Sequence, residues 1–188
     1  MENASKALII AAEVLIGMIV ISIGVYLFKY FSNYSEENYK IIETTQITEF
    51  NNKFLKFYGE TTVNGVKKPI ECTIHDIVSL ANLAQRTNIE NDLIEEHKQG
   101  NNQFQKKEDV DIDNSLYIQI NLYNKTNKID NLELKSNEYL ITLIKENDLI
   151  EDELSGKKTK IKYYKCITCE SKGNNSRINL VEFTINDK

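Results

Sequence analysis

Two pairs of residues have the spacing of metal ligands: Cys72-x-x-His75 and Cys166-x-x-Cys169. A Cys3His set would hold zinc in a tetrahedron. Two other fates fit the same side chains. One is a disulfide in an oxidising compartment, with the partners left open. The other is free thiols in a core, where unbonded cysteine behaves as a small apolar residue. Zinc meets an objection, because Cys166 and Cys169 fall in a stretch that reads as a strand, where residues three apart point to opposite faces. No glycine follows them until Gly173.

The second chemically marked residue is Glu13, the one acid inside an apolar run over residues 7–28. An ionised side chain within a bilayer costs about 2.5–3.5 kcal/mol on insertion scales, so it marks function or contact. At 100° per residue, Lys6, Glu13, Gly17 and Gly24 lie within about 40° of one another on a helix. Glycines allow close helix approach, and a polar group in the same stripe faces a partner better than lipid.

Catalytic signatures are missing from the rest. No nucleophile elbow, zincin motif, phosphate loop or dinucleotide fingerprint occurs. His75 falls in a helix first turn, where the dipole disfavours imidazolium. His97 sits in the polar run Glu95-Glu96-His97-Lys98. Asp109, Asp111 and Asp113 alternate like calcium ligands but lack the glycine and closing glutamate of a calcium loop. These residues predict a non-enzymatic protein with no bound cofactor and no small-molecule substrate, zinc excepted.

The elements that carry these residues follow from patterning. The run 7–28 measures roughly 33 Å as a helix, enough for a hydrocarbon core of about 30 Å. It exceeds the apolar region of a signal peptide and ends without an A-x-A site, which predicts an uncleaved single-pass anchor after a stub at 1–6. Tyr26, Phe28, Tyr30, Phe31 and Tyr34 form an interfacial belt at its far end. Lys6 with the amino terminus stands against Lys29 and Lys40, a near tie that leans to the terminus inside and the domain outside the cell membrane. Residues 29–58 continue as a helical stalk, with Phe50, Phe54 and Phe57 at helical spacing.

A small domain is expected over 59–188. Asn64-Gly65 signals a hairpin. Thr73 and Asp76 resemble a capping box, followed by an apolar stripe of Ile77, Leu80, Ala81 and Ala84 that ends near Thr87-Asn88. Residues 88–114 read as a mobile polar loop. Leu116, Ile118, Ile120 and Leu122 alternate through a strand at 115–123, with a turn at 124–127 and a return strand at 129–134. Ser136 caps a second helix to residue 149, with Gly156 closing that region, and strands at 160–169 and 177–185 form a terminal hairpin around a turn at 171–176. The predicted class is α+β: a transmembrane helix extending into an antiparallel sheet with two short helices and a C-terminal β-hairpin.

The net charge of −5, from 23 basic and 28 acidic residues, argues against a general nucleic-acid binder, which needs a basic face. The expected partners are the membrane and, through the stripe, a second copy or another membrane protein.

The opening MENASKALIIAAEVLIGMIVISIGVYLF resembles the start of uncharacterised single-pass membrane proteins of low-GC Firmicutes. The likeness continues through Phe50-Asn51-Asn52-Lys53-Phe54, Tyr58-Gly59, the helix around Asp76 to Asn82 and the cysteine-bearing hairpin, about half the chain. It implies the anchored architecture. In layout the chain is also similar to type IV pilins and pseudopilins, which run from an apolar helix with an early glutamate into a domain with an antiparallel sheet. In those proteins the glutamate is the fifth mature residue. Here it would be the sixth if Ala7 ended a leader, no glycine precedes the span, and the usual phenylalanine is absent. These features lead to the expectation of a structural or assembly component, pilin-like or part of a secretion or conjugation apparatus. The alternative is an anchored protein- or ligand-binding module, with zinc as a stabiliser.

Overall fold

The computed structural model describes residues 2–111, 116–124, 127–151, 158–172 and 176–186. The expectations for Asp113, for residues 125–126 of the turn at 124–127, for Gly156 and for Gly173 lie outside them. The chain divides into two compact units, 1–46 and 47–188.

The first unit belongs to α1 (Glu2–Leu55), an unbroken helix of 54 residues. An 18-residue window in it reaches a mean hydropathy of 2.6 with none of its residues buried, so α1 is long and apolar enough to cross a membrane. Its span is apolar all round instead of on one face, the pattern of a helix surrounded by apolar material. Polar side chains along α1 close on the helix itself. Ser22 Oγ donates to the Met18 carbonyl at 2.7 Å, Thr45 Oγ1 to the Ile41 carbonyl at 2.8 Å, and Lys40 pairs with Glu36 at 2.8 Å. Glu2 pairs with Lys6 at 3.0 Å, and the residues read as a stub from position 2 on are helical.

The second unit begins inside α1, at Ile47, and not at residue 59. The physical reason is burial: Phe54 is 0 % exposed, with Phe50 and Phe57 packed against the same core. The helix ends in short turns, Phe57 N–H to the Phe54 carbonyl at 3.1 Å and Tyr58 N–H to the Leu55 carbonyl at 3.0 Å. Gly59 then takes φ +112, a conformation closed to most side chains. A hairpin follows, β1 (Glu60–Val63) with β2 (Val66–Pro69). Asn64 and Gly65 both have positive φ in its turn, as the Asn-Gly signal requires.

The core sheet has the order β3-β10-β11-β6-β7, with β3 Glu71–Cys72, β6 Gln119–Asn124, β7 Asn127–Ile129, β10 Tyr164–Glu170 and β11 Leu180–Ile185. Its ladders are antiparallel except β6–β11, which is parallel and makes the sheet mixed. The register places Ile120 beside Val181 and Leu122 beside Phe183. All four are buried and face α2 (Ile74–Glu90) and α3 (Asn137–Asn147), whose Ile77, Leu80, Ala81, Ala84, Leu140 and Leu143 complete the core. The fold is α+β, with a C-terminal antiparallel strand pair.

α2 starts on a complete capping box: Asp76 N–H donates to Thr73 Oγ1 at 3.3 Å and Thr73 N–H to Asp76 Oδ2 at 2.9 Å. Replacing Thr73 by Ala is expected to cost about 1 kcal/mol, since it frees the helix's first-turn donor. Urea unfolding checks this, and an unchanged midpoint would contradict it. Ser136 caps α3 through a bond accepted from Tyr139 N–H at 3.2 Å.

Three sequence expectations change. The stretch 88–114 is not a loop but carries the hairpin β4 (Ile94–Gln99) with β5 (Asn102–Lys106). It is held by a second apolar cluster of Ile94, Val110, Tyr117 and Leu134, with Leu93 and Phe104 beside it. The return strand at 129–134 ends early, because Asn131 is left-handed and Leu132–Leu134 form a 3-10 turn. The strand read at 160–169 is two: β9 (Lys158–Ile161) pairs with β8 (Leu149–Glu151), and β10 starts at Tyr164.

Candidate functional site

On α1, Glu13, Gly17 and Gly24 are exposed, and Lys6 is engaged with Glu2. A Cβ built on Gly17 or Gly24 would meet nothing within 4 Å. The stripe is therefore an open helix surface in the single chain.

The cysteines are arranged by sheet pairing. Cys72 lies opposite Tyr164 on β3 and β10, and its Sγ donates to the Tyr164 carbonyl at 3.5 Å. Burial, aided by the Asp76 carboxylate, pushes the Cys72 thiol up to about 12. On β10 the register jumps between Cys166 and Thr168. Ile167 is the extra residue of a β-bulge and is 44 % exposed. Cys166 faces Phe183 and Cys169 faces Val181, two residues that share the core side of β11. The bulge removes one step of alternation, so the two cysteines stand on one face despite being three apart in sequence. Cys166 Sγ donates to the Thr168 carbonyl at 3.1 Å. Interaction between the two thiols, with burial adding to it, holds Cys166 above its ordinary value, and the same interaction holds Cys169 below its own against burial.

His75 does not join them. Its Nε2 sits 3.5 Å from Asp148 Oδ1, and both side chains are substantially exposed. Among the described residues no three His, Cys, Asp or Glu side chains converge as metal ligands. Cys72, His75, Cys166 and Cys169 are thus not assembled as the tetrahedral set their spacing suggests. His97 is bonded to Gln99 Oε1 at 3.0 Å within β4.

Two polar constellations were not visible in the sequence. The first is Glu133, 0 % exposed in the 3-10 turn. Tyr117 Oη donates to its Oε1 at 2.7 Å and Ile120 N–H to its Oε2 at 2.9 Å. Gln85 Nε2 on α2 donates to the Glu133 carbonyl at 2.8 Å and pins the turn. Burial pushes the Glu133 carboxyl up to about 7, against the pull of those donors and of Lys135. An acid between Leu132 and Leu134 in a buried turn is the one local hint of this.

The second lies on the sheet face away from the core. Glu182 Oε1 accepts from Asn121 Nδ2 at 3.1 Å and Tyr123 Oη at 3.0 Å, and its Oε2 from Thr168 Oγ1 at 3.0 Å. Burial opposes ionisation here, but these bonds and Lys128 outweigh it and hold Glu182 below the usual carboxylate range. The register that pairs Glu182 with Asn121 and Thr168 builds the network directly. Asn88 serves the other end of β6: its amide donates to and accepts from the Ile118 backbone, both at 2.9 Å, as a neighbouring strand would.

No protein-family model, curated protein or solved structure matches the chain.

Proposed function

We propose that this protein is a non-enzymatic, single-pass membrane-anchored assembly component, a pilin-like or secretion- or conjugation-apparatus subunit, whose anchor packs against another membrane helix through Lys6, Glu13, Gly17 and Gly24. The observation that carries this is the span itself, an all-round apolar helix surface with nothing packed on it. Lipid is the medium that covers such a surface, and within lipid a Glu13 carboxylate gains by facing a partner helix. The amino terminus lies inside and the folded unit outside.

The expected result is that Glu13→Leu leaves the folded unit intact but weakens association in membranes about 3- to 30-fold, matching the roughly 0.6–2 kcal/mol of interhelical polar contacts. Cross-linking of full-length protein in membranes, read as complex size, checks it. Unchanged complex size would remove the stripe from the reading. The mass of the mature chain tests the anchor, since a start beyond residue 28 would make the segment a cleaved signal sequence. A protease site placed in the β4–β5 turn at Gly100 and cut in intact cells supports an outside domain, whereas protection until lysis places it inside.

One observation favours a second reading, an anchored binding module. Half-buried Glu182, Tyr123 and Thr168, fixed in place by hydrogen bonds to one another and to buried Asn121, give the outer sheet face an ordered polar patch suited to a polar partner. Tyr123→Phe with Thr168→Val would then abolish interaction while Glu13→Leu leaves it unchanged.

A further inference from the structure

We propose that Cys166 and Cys169 form a reversible intra-strand dithiol–disulfide site that exchanges with disulfides, with Cys72 excluded from it. The inference does not depend on which side of a membrane the folded unit occupies.

Three observations converge. The bulge at Ile167 puts both residues on one face of β10, opposite Phe183 and Val181. Two strand steps separate those partners, about 6.6 Å, near the upper end of the roughly 4.4–6.8 Å Cα range of disulfides. Both cysteines are free and half-buried, and Cys166 Sγ is turned along the strand to the carbonyl of Thr168, the residue next to Cys169. The third thiol is set apart by chemistry. Cys72 is buried, bonded to the Tyr164 carbonyl, and disfavoured as a thiolate, the form that attacks disulfides.

The reaction closes without any group beyond the two cysteines and a disulfide oxidant. The Cys169 thiolate attacks one sulfur of a small or protein disulfide, forming a mixed disulfide and releasing the other half as a thiolate. Cys166, as thiolate, then attacks Cys169 Sγ, forming the Cys166–Cys169 bond and releasing the second half. The oxidant gains two electrons and becomes two thiols, which take up the two protons that Cys166 and Cys169 have given to solvent. The ring closed is only a few residues long, and short loops constrain the unfolded chain least. The pair is thus suited to reporting or transferring redox equivalents more than to stapling the fold.

The test uses the full chain in detergent micelles with stepped ratios of oxidised to reduced glutathione. Reactions are quenched in acid and remaining thiols tagged with a maleimide polymer. Trypsin cuts after Lys165 and Lys172, so both cysteines fall in one peptide, 166–172. The expected result is a single step from three tagged thiols to one, with the 166–172 peptide lighter by two hydrogens. Cys72→Ser should take the same step from two to none, whereas Cys166→Ser or Cys169→Ser should accumulate a glutathione adduct. Because the peptide assignment is made on the parent chain, it stands even if a variant folds poorly. Glutathione adducts on the parent 166–172 peptide, a cross-link from it to Cys72, or two thiols still tagged in the most oxidising mixture would each overturn the proposal.

Discussion

Wild-type protein should lose about 3 kcal/mol of stability between pH 5 and pH 8 through Glu133, and Glu133→Gln should abolish that loss. The folded carboxyl titrates at about 7 because burial penalises its charge, while in the unfolded chain it titrates near the ordinary value of about 4.3. Between those values the folded protein holds a proton that the unfolded chain has lost. Unfolding then releases a proton, so stability from this group is complete below pH 4 and falls as pH rises to about 7. Glutamine is a permanent stand-in for the neutral acid. Its Oε1 accepts from Ile120 N–H and its Nε2 donates to Tyr117 Oη, so the variant should match the parent at pH 5 and exceed it at pH 8. Glu133→Ala differs: it leaves the Ile120 N–H and the buried Tyr117 hydroxyl without this acceptor and opens a cavity, at a cost of about 3–5 kcal/mol at pH 5. At pH 8 that cost shrinks, since the parent itself then carries the buried charge. Urea unfolding of full-length chain in micelles, followed by tyrosine circular dichroism at several pH values, measures each difference. A Glu133→Gln minus parent difference that stays constant from pH 5 to pH 8 would show that Glu133 does not change ionisation in this range.

Why Glu133 could not be read from sequence is instructive. Its two donors lie 16 and 13 residues earlier, at Tyr117 and Ile120, and only the placement of the 3-10 turn beneath β6 joins them. By contrast Thr73 and Asp76, Ser136, and Asn64-Gly65 act within four residues, and the structure has each at the cap or turn that its chemistry specifies. The hairpin at 94–106 was hidden because its strands are polar on both faces; Ile94 and Phe104 anchor it to an apolar cluster that is itself assembled from distant segments. Strand alternation gave the wrong faces for Cys166 and Cys169, since a bulge is a property of pairing with β11 and leaves no mark on β10 alone. The parallel β6–β11 ladder joins Asn121 to Glu182 across 61 residues of chain, and no local signal encodes that choice. Phe50, Phe54 and Phe57 were visible as a helical face, but not the depth to which they would be buried.

That depth gives the other large effect. Phe54→Ala should destabilise the folded unit by about 3–5 kcal/mol, the range for a fully buried aromatic, while Leu55→Ala, one residue on and exposed, should cost well under 1 kcal/mol. Phe54 does not act alone. Its ring packs against Phe50 at a tilt of 56° with centroids 5.2 Å apart, and the Arg177 guanidinium lies 3.7 Å over the Phe50 ring. Between them Asn51 takes the place of a strand neighbour: its Oδ1 accepts from Ile178 N–H at 2.9 Å and its Nδ2 donates to the Ser176 carbonyl at 2.9 Å. The last turns of α1 therefore fill the core and satisfy backbone groups at the entry to β11. A chain begun at residue 59 removes Phe50, Asn51, Phe54 and Phe57 together, leaving an apolar face of the core open and the Ile178 N–H without its side-chain acceptor. Such a chain should lose cooperative urea unfolding, whereas one begun at residue 47 should keep it. Cooperative unfolding of the 59–188 chain at the midpoint of the longer one would show that the helix end is an accessory to the core and not a part of it.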